Sequence, residues 1–424
     1  MAKMVNGGMK SLRGKPRSIM FLGFNSLLSQ QAAGSLTQER LKKLLVISMV
    51  IFLSMPSFTR GSESNPILIG ATVSLEGKYS EPSFMIQNAF RLWEQKVNLR
   101  GGLLGRPVKL ILYDDKSQKK RVRQLYKKLI MEDKVDLVFS PYGTPLTLEA
   151  SKISEQSKMV MLACAASGEK IWERQYKYVF GVYALAKRYF VGLLDLMARE
   201  GFENLAILHE NSLFHQDVAA GTAFWAKRFG IDVSLKTPFT NATSEFPGLL
   251  EKAIDINADG LIVSAYSQEC YQFLDLMKKK KYRPKVLALT IAPIHPEFYQ
   301  KAGIIAEGVF GPSQWEPDER IPFPGTKKFI DEFVGYAKKV PSYHAGSAYA
   351  ASQIIATAIT QTKSLNHNKI RDYIRAMDTV TVIGRFKVDH KGKQIGHNPI
   401  MIQWQKGEKE IVYPTKMQTA SARF

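Results

Sequence analysis

Residues Ile67–Asp115 read ILIGATVSLEGKYSEPSFMIQNAFRLWEQKVNLRGGLLGRPVKLILYDD. The run ILIGATV is apolar and β-branched enough for a buried strand. From Ser83 the apolar period changes, and Ile86, Phe90, Trp93 and Val97 recur at helical spacing on one face. The glycine-rich GGLLGRP then turns the chain into VKLILYDD, a second strand ending in two acids. Strand, helix, strand in this order predicts a parallel pair with its helix packed on one face.

Working outward, the same unit recurs. Val122, Leu125, Leu129 and Ile130 mark the next helical face. VDLVFS (135–140), a helix from about Thr144, MVMLA and YVFGVY complete a first half. The pattern restarts with a helix near Lys187 to Arg199 and NLAILHE (204–210). A helix through Phe224 and Trp225 follows, then IDVSLK, a helix near 246–256, GLIVSAY (260–266), a helix to Lys280, and KVLALT (285–290). Two successive α/β lobes are expected, each with a mainly parallel sheet covered on both faces. An Ala-rich helix (344–362) and TVTVIGRFKVDHKGKQ come last. That β-rich tail cannot extend a βαβ series and is expected to cross between the lobes.

The chain has 424 residues, 45% hydrophobic and 23% charged, which suits two globular domains. Part of its net charge of +21 lies before residue 62, where Lys3, Lys10, Arg13, Lys15, Arg17, Arg40, Lys42, Lys43 and Arg60 face only Glu39. RLKKLL followed by LLVISMVIFLSM (44–55) reads as an export signal, too short to span a bilayer comfortably; an uncleaved anchor is the alternative. Residues 1–61 are therefore set apart from the fold. Two cysteines make no disulfide framework, and no Cys/His cluster suggests a metal. Neither a GxGxxG nor a Walker sequence occurs, so no nucleotide cofactor is expected. The basic runs at 278–285 and 116–128 lack interleaved aromatics and read as solvated helix faces rather than nucleic-acid sites.

In open α/β sheets ligands bind beyond the carboxyl ends of the strands. Those ends carry SLEGKYSEPS, SPYGTP, ACAASG, HENSLFHQ, SAYSQE and TIAPIHPE, loops of small, hydroxyl and aromatic residues that suit a neutral polar pocket. Cys164 in ACAASG is flanked by alanines, not the glycines of an elbow, so it reads as a small buried residue rather than a nucleophile. Asp114 and Asp115 resemble a carboxylate pair, but a solvated strand end or helix cap is favoured.

The opening stretch, GFENLAILHENSLF (201–214), GIIAEGVFGPSQWEP (303–317) and TVIGRFKVDHKGKQ (381–394) together resemble the type I periplasmic solute-binding proteins of the branched-chain amino acid and amide transport family. The likeness spans about residues 66 to 405. It implies two doubly wound parallel-sheet lobes joined by a three-strand hinge, lobe one from 66–181 plus 312–383 and lobe two from 182–311 plus 384–424. Crossings would fall near Gly181, Gly311 and Gly384. It further implies a periplasmic monomer without cofactor or catalysis, which captures an amino acid, amide or related organic acid and delivers it to the permease subunits of an ABC importer. A ligand-binding sensor of the same fold is the alternative. By position, Tyr142, Gly143 and Thr144 match one carboxylate-binding loop, and Ala165, Ala166 and Ser167 the other. Phe214 and Tyr266 match aromatic contacts, and Ile291 is counted with them.

One departure bears on the ligand. Where amino acid binders carry a carboxylate for the α-ammonium, this chain reads Thr290-Ile291-Ala292. Either Glu269 or another acid substitutes, or the ligand has no amino group, because a buried ammonium without a charge partner costs several kcal/mol. The first loop also reads Val73-Ser74-Leu75-Glu76-Gly77 in place of the family's Gly-Pro-Leu-Thr-Gly.

Overall fold

A computed structural model describes residues 65–321 and 323–424. The export-signal reading, and the segment 1–61 with it, lies outside the described residues. Strand β1 (Ile67–Val73) is the hub of a five-stranded parallel sheet ordered β2-β1-β3-β4-β5, with β2 at Val108–Asp114, β3 at Leu137–Phe139, β4 at Met161–Ala163 and β5 at Val179–Gly181. Ile67, Ile69 and Ala71 are wholly buried, as a strand covered on both faces requires.

Helix α1 (Ser80–Leu99) begins three residues earlier than the sequence period indicates and buries Ile86, Ala89, Phe90 and Trp93. Phe90 stacks on Phe139 of β3 at 4.5 Å between ring centroids. Its end is fixed by two devices. The Asn98 side-chain amide both donates to the carbonyl and accepts from the N–H of Val108, tying the helix to β2. Gly102, at φ +77°, donates to the Val97 carbonyl, and a Cβ there would sit 1.9 Å from the Arg106 carbonyl oxygen, so only glycine fits.

The second sheet has seven strands, ordered β14-β13-β10-β9-β8-β6-β7. Strands β6 (Asn204–Glu210), β7 (Asp232–Phe239), β8 (Gly260–Ser264), β9 (Val286–Leu289) and β10 (Phe310–Ser313) are parallel. Strands β13 (Ile400–Gln405) and β14 (Glu408–Tyr413) add an antiparallel edge. Helices Thr326–Ala337 and Tyr343–Thr362 return to pack on α1, so the chain leaves the second sheet after Ser313 to finish the first lobe.

The expected hinge glycines fall differently. Gly181 ends β5 against the Trp172 ring, and Gly311 lies within β10 against Pro293. Gly384 is not at a crossing. It opens β12 (Gly384–Lys387), which pairs with β11 (Asp378–Thr381) in a separate hairpin. The tail stays beside the first sheet as far as Gly392, whose carbonyl accepts from Gly181, and enters the second only at Ile400. The third crossing therefore follows the hairpin, because the β11–β12 ladder holds Gly384 in place.

Asp115 also departs from the solvated strand end expected for it. Its carboxylate is fully buried and accepts from the Thr72 hydroxyl at 2.7 Å, the Ser74 hydroxyl at 2.6 Å and the Ser117 N–H at 2.9 Å. It locks the carboxyl ends of β1 and β2 together. Among the described residues no helix is long and apolar enough to cross a membrane.

A candidate solute cleft between the lobes

Both sheets reverse strand order at one point: β1 lies between β2 and β3, and β6 lies between β7 and β8. Loops diverge there and leave a crevice at the carboxyl ends. A small, tightly packed cleft occupies it, and Tyr142, Gly143, Thr144, Ala165, Ala166, Ser167, Phe214, Tyr266 and Ile291 all line it. The structure therefore brings together every ligand-contact position inferred from the sequence.

The wall from the first lobe combines two backbone loops with the rings of Tyr142 and Tyr343. Gly143, at φ +82°, precedes helix α2 (Thr144–Gln156) and donates its N–H to the Ala165 carbonyl at 2.8 Å. The Thr144 hydroxyl accepts from the Gly168 N–H at 3.0 Å, which leaves its own proton to donate. Gly168 is pressed onto Thr144 so closely that a Cβ would stand 2.4 Å from the Thr144 methyl. These contacts bind the two loops into one surface. Among the described residues, the N–H groups of Thr144, Ala165, Ala166 and Ser167 donate to no protein acceptor. Four donors without a protein acceptor thus lie on the two joined loops beside the start of helix α2, an arrangement that suits an anion. The Ser167 hydroxyl is taken up by Tyr189, 3.1 Å away, so this residue serves the cleft through its backbone.

The wall from the second lobe is aromatic. Phe214 enters from the first turn of helix α3 (Leu213–Arg228), and Tyr266 caps helix α4 (Ser267–Lys280) directly after β8. Three further tyrosines, Tyr183, Tyr189 and Tyr343, complete the lining. Sequence reasoning missed them because they come from the crossing segment after β5 and from the start of the Ala-rich helix. Only Tyr183, at a strand's carboxyl end in YVFGVY, carried a usable signal. Burial pushes the phenols of Tyr142, Tyr183, Tyr266 and Tyr343 well above their usual range, so they are neutral hydrogen-bonding groups. The Tyr79 ring rests against that of Tyr266 at 5.0 Å between centroids.

Among the described residues no carboxylate lines the cleft. Thr290 staples β8 to β9 instead, accepting from the Ala265 N–H at 2.9 Å and donating to the Ala265 carbonyl at 2.6 Å. Glu269 lies outside the lining with Glu210, and both face Lys78, at 3.8 Å and 2.6 Å. Cys164 is buried, its thiol pushed up to about 12 by desolvation, with only Ser140 in reach at 3.8 Å; it has no activating base. Among the described residues no group of three His, Cys, Asp or Glu could hold a metal.

The sequence matches the periplasmic binding protein family model over residues 66–409. The chain belongs to that family. This periplasmic binding protein is 22% identical over 372 residues to the leucine-specific-binding protein of Salmonella typhimurium, covering 86% of its own length and 96% of the relative's. Its fold matches a leucine-binding protein from Thermotoga maritima at TM-score 0.74, with 18% identity over 81% of this chain and 97% of the other. A solute-binding protein of an R. palustris ABC transporter, solved with benzoate, matches at TM-score 0.72, with 16% identity over 82% and 96%. The cleft of this periplasmic binding protein lies at the carboxyl ends of both sheets, where their strand order reverses.

Proposed function

We propose that this periplasmic binding protein works outside the cytoplasmic membrane, capturing a small carboxylic acid without an ammonium group, aromatic or branched aliphatic, and handing it to the permease subunits of an importer. It acts as a monomer and catalyses no reaction. The observation that carries this reading is the contrast within the cleft: four free N–H groups on one wall and no acid anywhere in the lining. A carboxylate would be held by charge-assisted hydrogen bonds and the helix end. An α-ammonium would be desolvated among phenols, at a cost of several kcal/mol. The benzoate held by the R. palustris protein supports an acid of this class, and the leucine-specific relative marks the alternative.

Thermal unfolding with a panel of solutes tests the proposal, since a ligand that binds only the folded state raises the melting temperature. Benzoate and short branched acids should give the large shifts. If leucine and valine gave the largest, the amine-free assignment would be wrong; if no small solute raised it, solute capture itself would be.

A further inference from the structure

The lobes also touch through charges that do not line the cleft. Lys78 and Glu81 sit on one short segment leading into helix α1 of the first lobe. The Lys78 ammonium lies 2.6 Å from Glu210 and 3.8 Å from Glu269, and 4.6 Å from the centre of the Tyr266 ring, all in the second lobe. The Glu81 carboxylate reaches Lys301, in the short helix Phe298–Ala302 after β9, at 2.6 Å, and lies 3.3 Å from the His295 ring, which burial keeps neutral at pH 7. These side chains are 33% and 28% exposed, so water neither screens the pairs fully nor is fully removed. Every one of these contacts must break when the lobes part.

We propose that Lys78 and Glu81 are closure-positioning residues, forming an electrostatic clamp that selects the register of the closed lobes and sets how fast the solute is released; this rests on the solute-capture reading above. The alternation of sign is what selects register. With a cation and an anion on the same segment, a slipped closure would set Lys78 against Lys301, or Glu81 against Glu210 and Glu269, and like charges disfavour it. The pair Lys339–Glu297, at 2.5 Å, adds a third link beside Lys301. The clamp works on the equilibrium between closed and open lobes, and through it on release, without touching the solute.

Energy transfer between dyes on the two lobes tests this without knowledge of the solute. The full chain would be labelled at Lys120→Cys and Thr240→Cys, both exposed, since the native cysteines are buried. In low salt the wild type should be closed. Raising salt toward 1 M shortens the screening length from roughly 10 Å to 3 Å and should open it several-fold. Lys78→Glu should open the lobes even in low salt, and combining it with Glu210→Lys should restore closure and its salt sensitivity. With benzoate as probe, Lys78→Glu should speed release by roughly fivefold, with little change in capture beyond the electrostatic part. Unchanged transfer across salt and variants, with all proteins folded, would overturn the clamp. Absence of solute binding alongside salt-dependent closure would instead overturn solute capture.

Discussion

The two walls of the cleft recognise by different means. The first-lobe wall, from Gly143–Thr144 and Ala165–Ser167, presents backbone N–H groups that need small side chains beside them, next to the rings of Tyr142 and Tyr343. The second-lobe wall, from Phe214, Tyr266 and Ile291, presents rings and a branched chain. Backbone donors at a helix end read negative charge and tolerate little variation. An apolar wall reads shape, and its sequence can change with the body of the solute. On the proposed function, affinity for the acid group would reside in the first lobe, and discrimination among acids in the second.

Blocking the backbone wall should cost the most. Ala166→Leu would fill the approach to the N–H groups and reduce affinity for a carboxylate by about a thousandfold or more, as loss of several charge-assisted hydrogen bonds implies. Calorimetry reads this, and a melting temperature retained within a few degrees shows that the fold survives. Tyr266→Ala strikes the other wall; losing a buried ring should weaken benzoate by roughly a hundredfold and less polar aliphatic acids by less.

The smallest expected effect is acidification. Buried His295 faces Glu81, Glu297, Lys301, Lys409 and the stacked ring of His344, and burial lowers its pKa from 6.5 to about 4. Burial lowers His344 as well. With the lobes open or the chain unfolded, the imidazoles regain their ordinary proton affinity, so the less compact state binds more protons. Closure and stability are complete above about pH 6.5 and decline as pH falls toward about 4. Release rates and melting temperatures between pH 7 and 4.5 check this, and His295→Gln should flatten much of the response.

The strands and helices were legible from period and the crevice loops from their place at strand ends, while the nine cleft positions came from the family resemblance. What stayed hidden depended on register or on distant segments. Asp115 looks like a surface acid until parallel pairing sets β1 beside β2 and brings Thr72 and Ser74 to its carboxylate. Tyr189 and Tyr343 lie far from any strand end in sequence, so no local pattern marks them. Gly384 was placed at a crossing by the family resemblance. Only the β11–β12 ladder shows that the passage comes later. Thr290 was legible as a missing carboxylate but not as a staple between strands.

The most direct measurement compares two solutes that differ by one group. Leucine and 4-methylpentanoate share a branched chain and a carboxylate, and only leucine carries the α-ammonium. Calorimetric titration of the full chain at pH 7 should show 4-methylpentanoate binding at least roughly a hundredfold tighter, in line with an unpaired buried ammonium. Leucine binding equally well or better would contradict an acid-free cleft built for amine-free acids, and would mean that Glu210 or Glu269 leaves Lys78 to pair with the ligand.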